Sequence, residues 1–268
     1  MELTQANYYD KENEISYMSF SQFKNFLSNP ARALADLKGD YDWFSDNKAL
    51  LIGNFLHSYF ESPEAHQKFI SENESEIISS RGASKGQLKT DYKVAEKMIE
   101  RLEKEKQFNF LMNGTQREVI VTGEIGGRIW KGKIDALNLE KNVFIDFKTV
   151  RTLVDDASVW DSEKHERVNF IIQRRYDMQM AIYQELLRQT YGEIFTPVIW
   201  AVSKENEPLA KAYELLQPTL DEALDEVISN IDEVASYIDE TVEAPLINDG
   251  SAYYNFAHRV GADDYVGV

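Results

Sequence analysis

The chain has 268 residues, 43% of them hydrophobic, with 14 Tyr and 14 Phe, enough for one sizeable core. Its 29 Lys and Arg against 46 Asp and Glu give a formal charge of −17, so any contact with a polyanion must come from a local basic lining rather than from average attraction. The absence of cysteine excludes disulfides, thiolate zinc sites and an iron–sulfur cluster, and with no signal-peptide pattern and no apolar run near 18 residues it predicts a cytoplasmic, non-membrane protein.

The N-terminal third reads as helical. Ser19 to Leu37 (SFSQFKNFLSNPARALADL) opens it with a Ser-x-Ser entry. In Leu51 to Glu61 (LIGNFLHSYFE), Gly53, His57 and Glu61 recur at intervals of four and share one helical stripe. Gly53 there permits close backbone approach, and His57 offers a ring nitrogen to a metal or a phosphate, or else serves helix packing. Arg81 to Lys93 (RGASKGQLKTDYK) places Arg81, Lys85, Lys89 and Lys93 in or beside a glycine-containing loop, a candidate basic lining or a solvated surface loop.

Strands are expected near 116–124, 128–138 and 143–148, with a glycine turn at Gly126-Gly127 and a polar turn over Asn138 to Asn142. If the second turn is centred between Glu140 and Lys141, Asp135 and Asp146 face each other across the hairpin. Strand alternation then sends Asp146 and Lys148 to one side, and Val143, Ile145 and Phe147 to an apolar side. Two facing carboxylates repel unless a cation lies between them, and hard oxygen ligands favour Mg²⁺ or Mn²⁺. The same register sets Lys133 against Lys148, which predicts a bulge or an early strand end near Asp135. Two carboxylates and a lysine suit metal-dependent phosphodiester cleavage, although Asp-x-Lys by itself is also an ordinary strand-end pattern.

A helix follows over about 170–191, where Tyr176, Gln179, Tyr183 and Leu187 form one stripe. Gln179 and Tyr183 are either a hydrogen-bonded core pair or contacts to the phosphate or to Lys148. Arg174 and Arg175 at its start hold backbone phosphates or are simply solvated. Strands near 195–203 and 209–215 come next. Leu220 to Glu243 then carries nine acids and no Lys or Arg, an amphipathic helix with a solvated acidic face. In the irregular tail, Tyr253, Tyr254 and Phe256 are candidates to dock on the body or on another subunit.

Asp135 and Asp146-Phe147-Lys148-Thr149, preceded by Gly53-x-x-x-His57 and followed by Gln179-x-x-x-Tyr183, resemble the PD-(D/E)XK nuclease superfamily. Within it they resemble the RecB/lambda-exonuclease-like branch and its RecE-type (exodeoxyribonuclease VIII) phage and prophage exonucleases, over roughly residues 15 to 260. The resemblance implies an α/β fold with an αβββαβ core, a mixed central sheet and added terminal helices. One domain over 1–268 is expected, with a helical part to about 110, a catalytic core over about 111–216, and the acidic helix and tail beyond.

The resemblance also implies roles. Asp135, Asp146, the Phe147 backbone carbonyl and His57 would hold Mg²⁺ or Mn²⁺, with Glu118 as a further ligand. Lys148 would act on the attacking water and the phosphate, supported by Gln179 and Tyr183. By their charge and position rather than by the resemblance, Arg81, Lys85, Lys89, Arg174 and Arg175 are the candidates to line the DNA. The implied activity is 5′ to 3′ exonuclease action on linear duplex ends, producing single-strand tails for recombination. A homo-oligomer and a single-strand annealing protein as partner would accompany it. The alternatives are an inactive DNA-end or protein-binding module on the same fold, or an endonuclease. Where some relatives carry an iron–sulfur cysteine, this chain has Asn29.

Overall fold

A computed structural model describes residues 3–41, 48–154, 158–161 and 165–259. In chain order the helices are α1 (Lys11–Ser16), α2 (Phe20–Ser28), α3 (Pro30–Lys38), α4 (Lys48–Glu61), α5 (Pro63–Glu72), α6 (Glu74–Ile77), α7 (Thr90–Glu103), α8 (Lys106–Met112), α9 (Phe170–Gln173), α10 (Tyr176–Tyr191), α11 (Gln217–Ile238) and α12 (Ala252–Ala257). The strands are β1 (Gln116–Ile125), β2 (Arg128–Asn138), β3 (Val143–Val150), β4 (Ser158–Asp161), β5 (Glu166–Asn169), β6 (Thr196–Ser203) and β7 (Ala210–Glu214). The chain divides into two compact units, one of Met1–Ser45, Glu124–Trp130 and Asp225–Val268, the other of Asp46–Gly123 and Lys131–Leu224.

In the first unit, Ser19 is the N-cap of α2, accepting from Gln22 N–H, so the Ser-x-Ser entry is a helix start. Phe20, Phe23 and Phe26 bury one face of that helix, and Phe23 packs against Trp130 at 5.3 Å between ring centroids. Asn29 caps α3 and is fully buried, its Nδ2 donating to Ile247 O and to Asp249 Oδ2. The glycine turn has φ of +58° and +74° at Gly126 and Gly127, and a Cβ on Gly126 would lie 2.5 Å from Ile231 Cγ2. The acidic helix ends at Ile238, short of the expected Glu243, because Glu240 turns left-handed (φ +55°) and Thr241 N–H returns to Ser236 O. Tyr253 docks within this unit, its hydroxyl donating to Ala31 O, and Phe256 lies against Tyr41. Residues 260–268 of the expected tail lie outside the described residues.

The second unit holds the five-stranded mixed sheet, in the order β1-β2-β3-β6-β7. β3 runs parallel to β6 over Val143↔Thr196 to Val150↔Ser203, and β6 is antiparallel to β7. A parallel pair needs a crossover, here supplied through α9 and α10. β6 reads TPVIWAVS and is buried almost throughout, as a strand covered on both faces must be. One sheet face carries Ile145 and Phe147 into a core shared with α4, α7 and α8. There Phe147 meets Phe60 at 5.2 Å and Phe108 at 5.9 Å. The opposite face of β3 is also covered: Phe144 is fully buried and Asp146 is only 4% exposed. The α/β architecture with a mixed sheet and added helices is thus the expected one, whereas the two-stranded β4–β5 sheet was not anticipated. Among the described residues no helix is long and apolar enough to cross a membrane.

Candidate active site

The β2–β3 ladder pairs Asn138↔Val143, Leu137↔Phe144 and Ala136↔Ile145, which is the register of a turn centred between Glu140 and Lys141. The ladder stops at Ala136↔Ile145, one step short of the Asp135 and Asp146 that this register would set opposite each other. Phe147 N–H donates instead to Asp135 Oδ2 at 2.7 Å, so a carboxylate replaces the next backbone pair and the strands end their pairing where like charges meet. Lys133 and Lys148 avoid each other by taking separate carboxylates. Lys133 Nζ lies 2.7 Å from Glu118 Oε2, and Lys148 Nζ lies 2.6 Å from Asp146 Oδ2.

His57 completes the set from α4. Its Nδ1 is 3.3 Å from Asp135 Oδ1 and its Nε2 is 3.1 Å from the Phe147 carbonyl oxygen. Both ring nitrogens therefore face acceptors, which suits the imidazolium. Each of three carboxylates thus has its own protein cation: Asp135 with His57, Asp146 with Lys148, Glu118 with Lys133. The α10 helix closes the other side. Gln179 Nε2 donates to Asp146 Oδ1 at 3.0 Å, and Tyr183 is hydrogen-bonded by Gln179 and the Lys133 backbone. A Cβ on Gly132 would stand 2.9 Å from Tyr183 Cε1, so glycine at that position makes room for the ring.

Burial and these charges set the ionisation. Asp146 is pushed up to about 6, chiefly by burial and also by Asp135, with Lys148 opposing. For Asp135, burial acts upward but the His57 charge and hydrogen bond, Lys148 and the Phe147 N–H outweigh it, leaving the carboxyl below its usual range. His57 and Lys148 are lowered by burial and raised more by their aspartates, so both hold their protons more firmly than usual. Glu118 is raised by burial and by Asp135, and burial raises the Tyr183 phenol.

A divalent ion fits these donors. One ligand atom each from His57, Glu118 and Asp135 lie within 4.8 Å of one another. Asp146 Oδ2 is buried, and the partner it faces is the Lys148 ammonium at 2.6 Å. Glu118 reaches the group through a left-handed residue inside a strand (φ +51°), a costly conformation for a side chain with a Cβ.

Several sequence expectations are corrected. The helix over 170–191 is broken: α9 stops at Gln173, and Arg175 is left-handed (φ +61°) at the start of α10, its Nε 3.9 Å from Asp177. Gly53 is not needed for close packing, because a Cβ there would meet only Thr149 Oγ1 at an ordinary 3.8 Å. Lys89 donates to Ser75 O at 2.7 Å and is tied into the fold, whereas Arg81, Lys85 and Arg174 are exposed. The basic loop is itself ordered by Ser79 N–H to Gln87 O and Gly86 N–H to Ser79 O. Two features were missed. One is the Lys133–Glu118 pair, foreshadowed by Lys133 and Asp135 at i and i+2 on one strand face. The other is the Tyr176 ring, whose centroid lies 4.5 Å from Lys148 Nζ, foreshadowed by Tyr176 and Gln179 on one helical stripe.

Residues 19–250 match the family described as a PDDEXK-like domain of unknown function (DUF3799). The chain is similar to a crystal structure from Eubacterium rectale named "Putative exonuclease", at 30% identity over 97% of this chain and 95% of that one, with a TM-score of 0.86. A structure of SSO0001 aligns at 16% identity over 85% of this chain and 96% of that one, but its TM-score of 0.28 is too low to bear on the fold. No curated protein matches. With the carboxylate–lysine cluster on a β-hairpin of a mixed sheet and the family match spanning most of the sequence, the chain belongs to the PDDEXK-like DUF3799 family, within the PD-(D/E)XK nuclease superfamily.

Proposed function

We propose that the protein is a Mg²⁺- or Mn²⁺-dependent deoxyribonuclease that removes nucleotides from the ends of linear duplex DNA. The observation that carries this reading is the buried cluster in which Asp135, Asp146 and Glu118 each lean on a protein cation while ligand atoms of His57, Glu118 and Asp135 lie within 4.8 Å of one another. His57, Asp135, Asp146, Glu118 and the Phe147 carbonyl would hold the metal. When bound, it activates water and stabilises charge on the phosphoryl group. Lys148 orients the nucleophile and offsets phosphate charge, and Gln179 fixes the Asp146 carboxylate with Tyr183 behind it. Arg81, Lys85 and Arg174 supply a local basic lining, with Lys89 and Arg175 contributing less because each is engaged within the fold.

Action from ends rather than within the duplex is favoured by the name of the Eubacterium rectale relative and by the RecE-type motif resemblance. That resemblance also favours 5′ to 3′ polarity, a homo-oligomer, a single-strand annealing partner and cytoplasmic recombination. Digestion of end-labelled linear duplex beside a covalently closed circle, with Mg²⁺, with Mn²⁺ and with chelator, tests the proposal. Metal-dependent loss of the linear substrate alone is expected. Cutting of the circle would make the protein an endonuclease, and loss of neither would leave a binding module, which the net charge of −17 does little to help on DNA.

A further inference from the structure

We propose that Tyr176 is a positioning residue that keeps Lys148 in place once Asp146 turns to the metal, an inference that rests on the nuclease reading above. Lys148 has two partners, the Asp146 carboxylate at 2.6 Å and the face of the Tyr176 ring at 4.5 Å. With a divalent ion bound, the Asp146 carboxylate would turn to it and Lys148 would stand beside a like charge. The aromatic face holds an ammonium through its quadrupole and offers the ion no strong ligand. Lys148 then keeps one protein partner through the reaction, and that partner is Tyr176.

The fold sets this ring in place. Were the helix continuous from Phe170, the ring at position 176 would point elsewhere, because a helix rotates its side chains by a fixed step per residue. The left-handed Arg175 breaks that phase and makes Tyr176 the first residue of α10. Phe170 meets the ring edge-on at 6.1 Å, and Phe170 is itself backed by Tyr213 of β7 at 5.5 Å. Three residues on, Gln179 from the same helix face holds Asp146. One helix face therefore holds both members of the Asp146–Lys148 pair, each by a different kind of contact.

The test uses the full chain with labelled lysine. In the metal-free protein, the Lys148 ε-methylene resonance, assigned by its loss in Lys148→Arg, should be shifted upfield by the ring. The shift should persist in Tyr176→Phe and on adding Mg²⁺, and vanish in Tyr176→Leu and in Tyr176→Met, the latter serving if the former does not fold. On linear duplex, the Phe variant should keep kcat within about twofold, while Leu or Met should lose about tenfold in kcat with KM unchanged. A wild-type protein without the ring shift, or a Leu or Met variant that turns over at the wild-type rate, overturns the proposal. A wild-type protein that shows the shift but cleaves nothing overturns the nuclease reading, and the positioning role with it.

Discussion

Around Asp249, in the first unit, Asn29 Nδ2 and Arg32 Nη1 donate to one carboxylate oxygen and Ser251 N–H to the other. Around Asp146, in the second, Gln179 serves one oxygen and the Lys148 ammonium faces the other at 2.6 Å. The Ser251 side chain, with Asn29 and Arg32, holds Asp249 down to about 2, whereas burial lifts Asp146 to about 6. A carboxylate held in its ionised form by several donors ties segments together; one whose burial works against its charge is ready for a cation. The contrast separates a structural aspartate from a chemical one without reference to sequence motif.

The largest expected effect lies at Asp146. Asp146→Asn should lower cleavage by about a thousandfold or more, while the fold survives because an amide oxygen still accepts from Gln179. A carboxyl raised from 3.8 to about 6 favours the protonated form in the folded state. The Asp146 contribution to the stability of the metal-free wild type is therefore lost as pH rises from about 4 to about 6, by as much as about 3 kcal/mol. The Asn variant should lack that loss and melt higher than wild type at pH 7 in chelator. An unfolded Asn variant would make Asp146 a second Asp249.

Next in size is the response to metal. Mg²⁺ or Mn²⁺ should raise the melting temperature of the wild type in proportion to the logarithm of its concentration. Glu118→Gln should weaken that response, and Asp249→Asn should leave it intact. Gly132→Ala sharpens the geometry: its Cβ would meet the Tyr183 ring at 2.9 Å. A cost of about 1–3 kcal/mol in denaturant titration, with reduced turnover, is expected. The smallest effect belongs to Asp249→Asn, about 1 kcal/mol at neutral pH with cleavage unchanged. In the wild type the Asp249 contribution is present above about pH 4 and lost as pH falls toward about 2, so the variant should flatten that part of the acid limb.

The hairpin was legible because alternation and a polar turn fix its register, and a one-residue slip would have turned every side chain to the wrong face. That register brought Asp135, Asp146 and Lys148 together from sequence alone. Charge logic also located the end of the ladder, since two lysines could not face each other two steps beyond Asp135 and Asp146. The break at Arg175 was not legible, because Ile172, Tyr176, Gln179 and Tyr183 recur at spacings of three and four across it and arginine gives no signal of a left-handed turn. The Glu118 conformation was hidden for the same reason. The β4–β5 hairpin is polar and short, and α12 is too short to show a period. Asn29 looked like a gap in a metal-binding pattern, and its role as a cap and a clamp depends on Ile247 and Asp249, far along the chain.

Calorimetric titration of Mn²⁺ into the wild type and into Asp135→Asn tests most directly whether the three paired carboxylates form a metal site. Saturable binding in the wild type that is lost in the variant, with the variant still folded, is the predicted result. Absence of binding to the wild type, or equal binding by both, would contradict it.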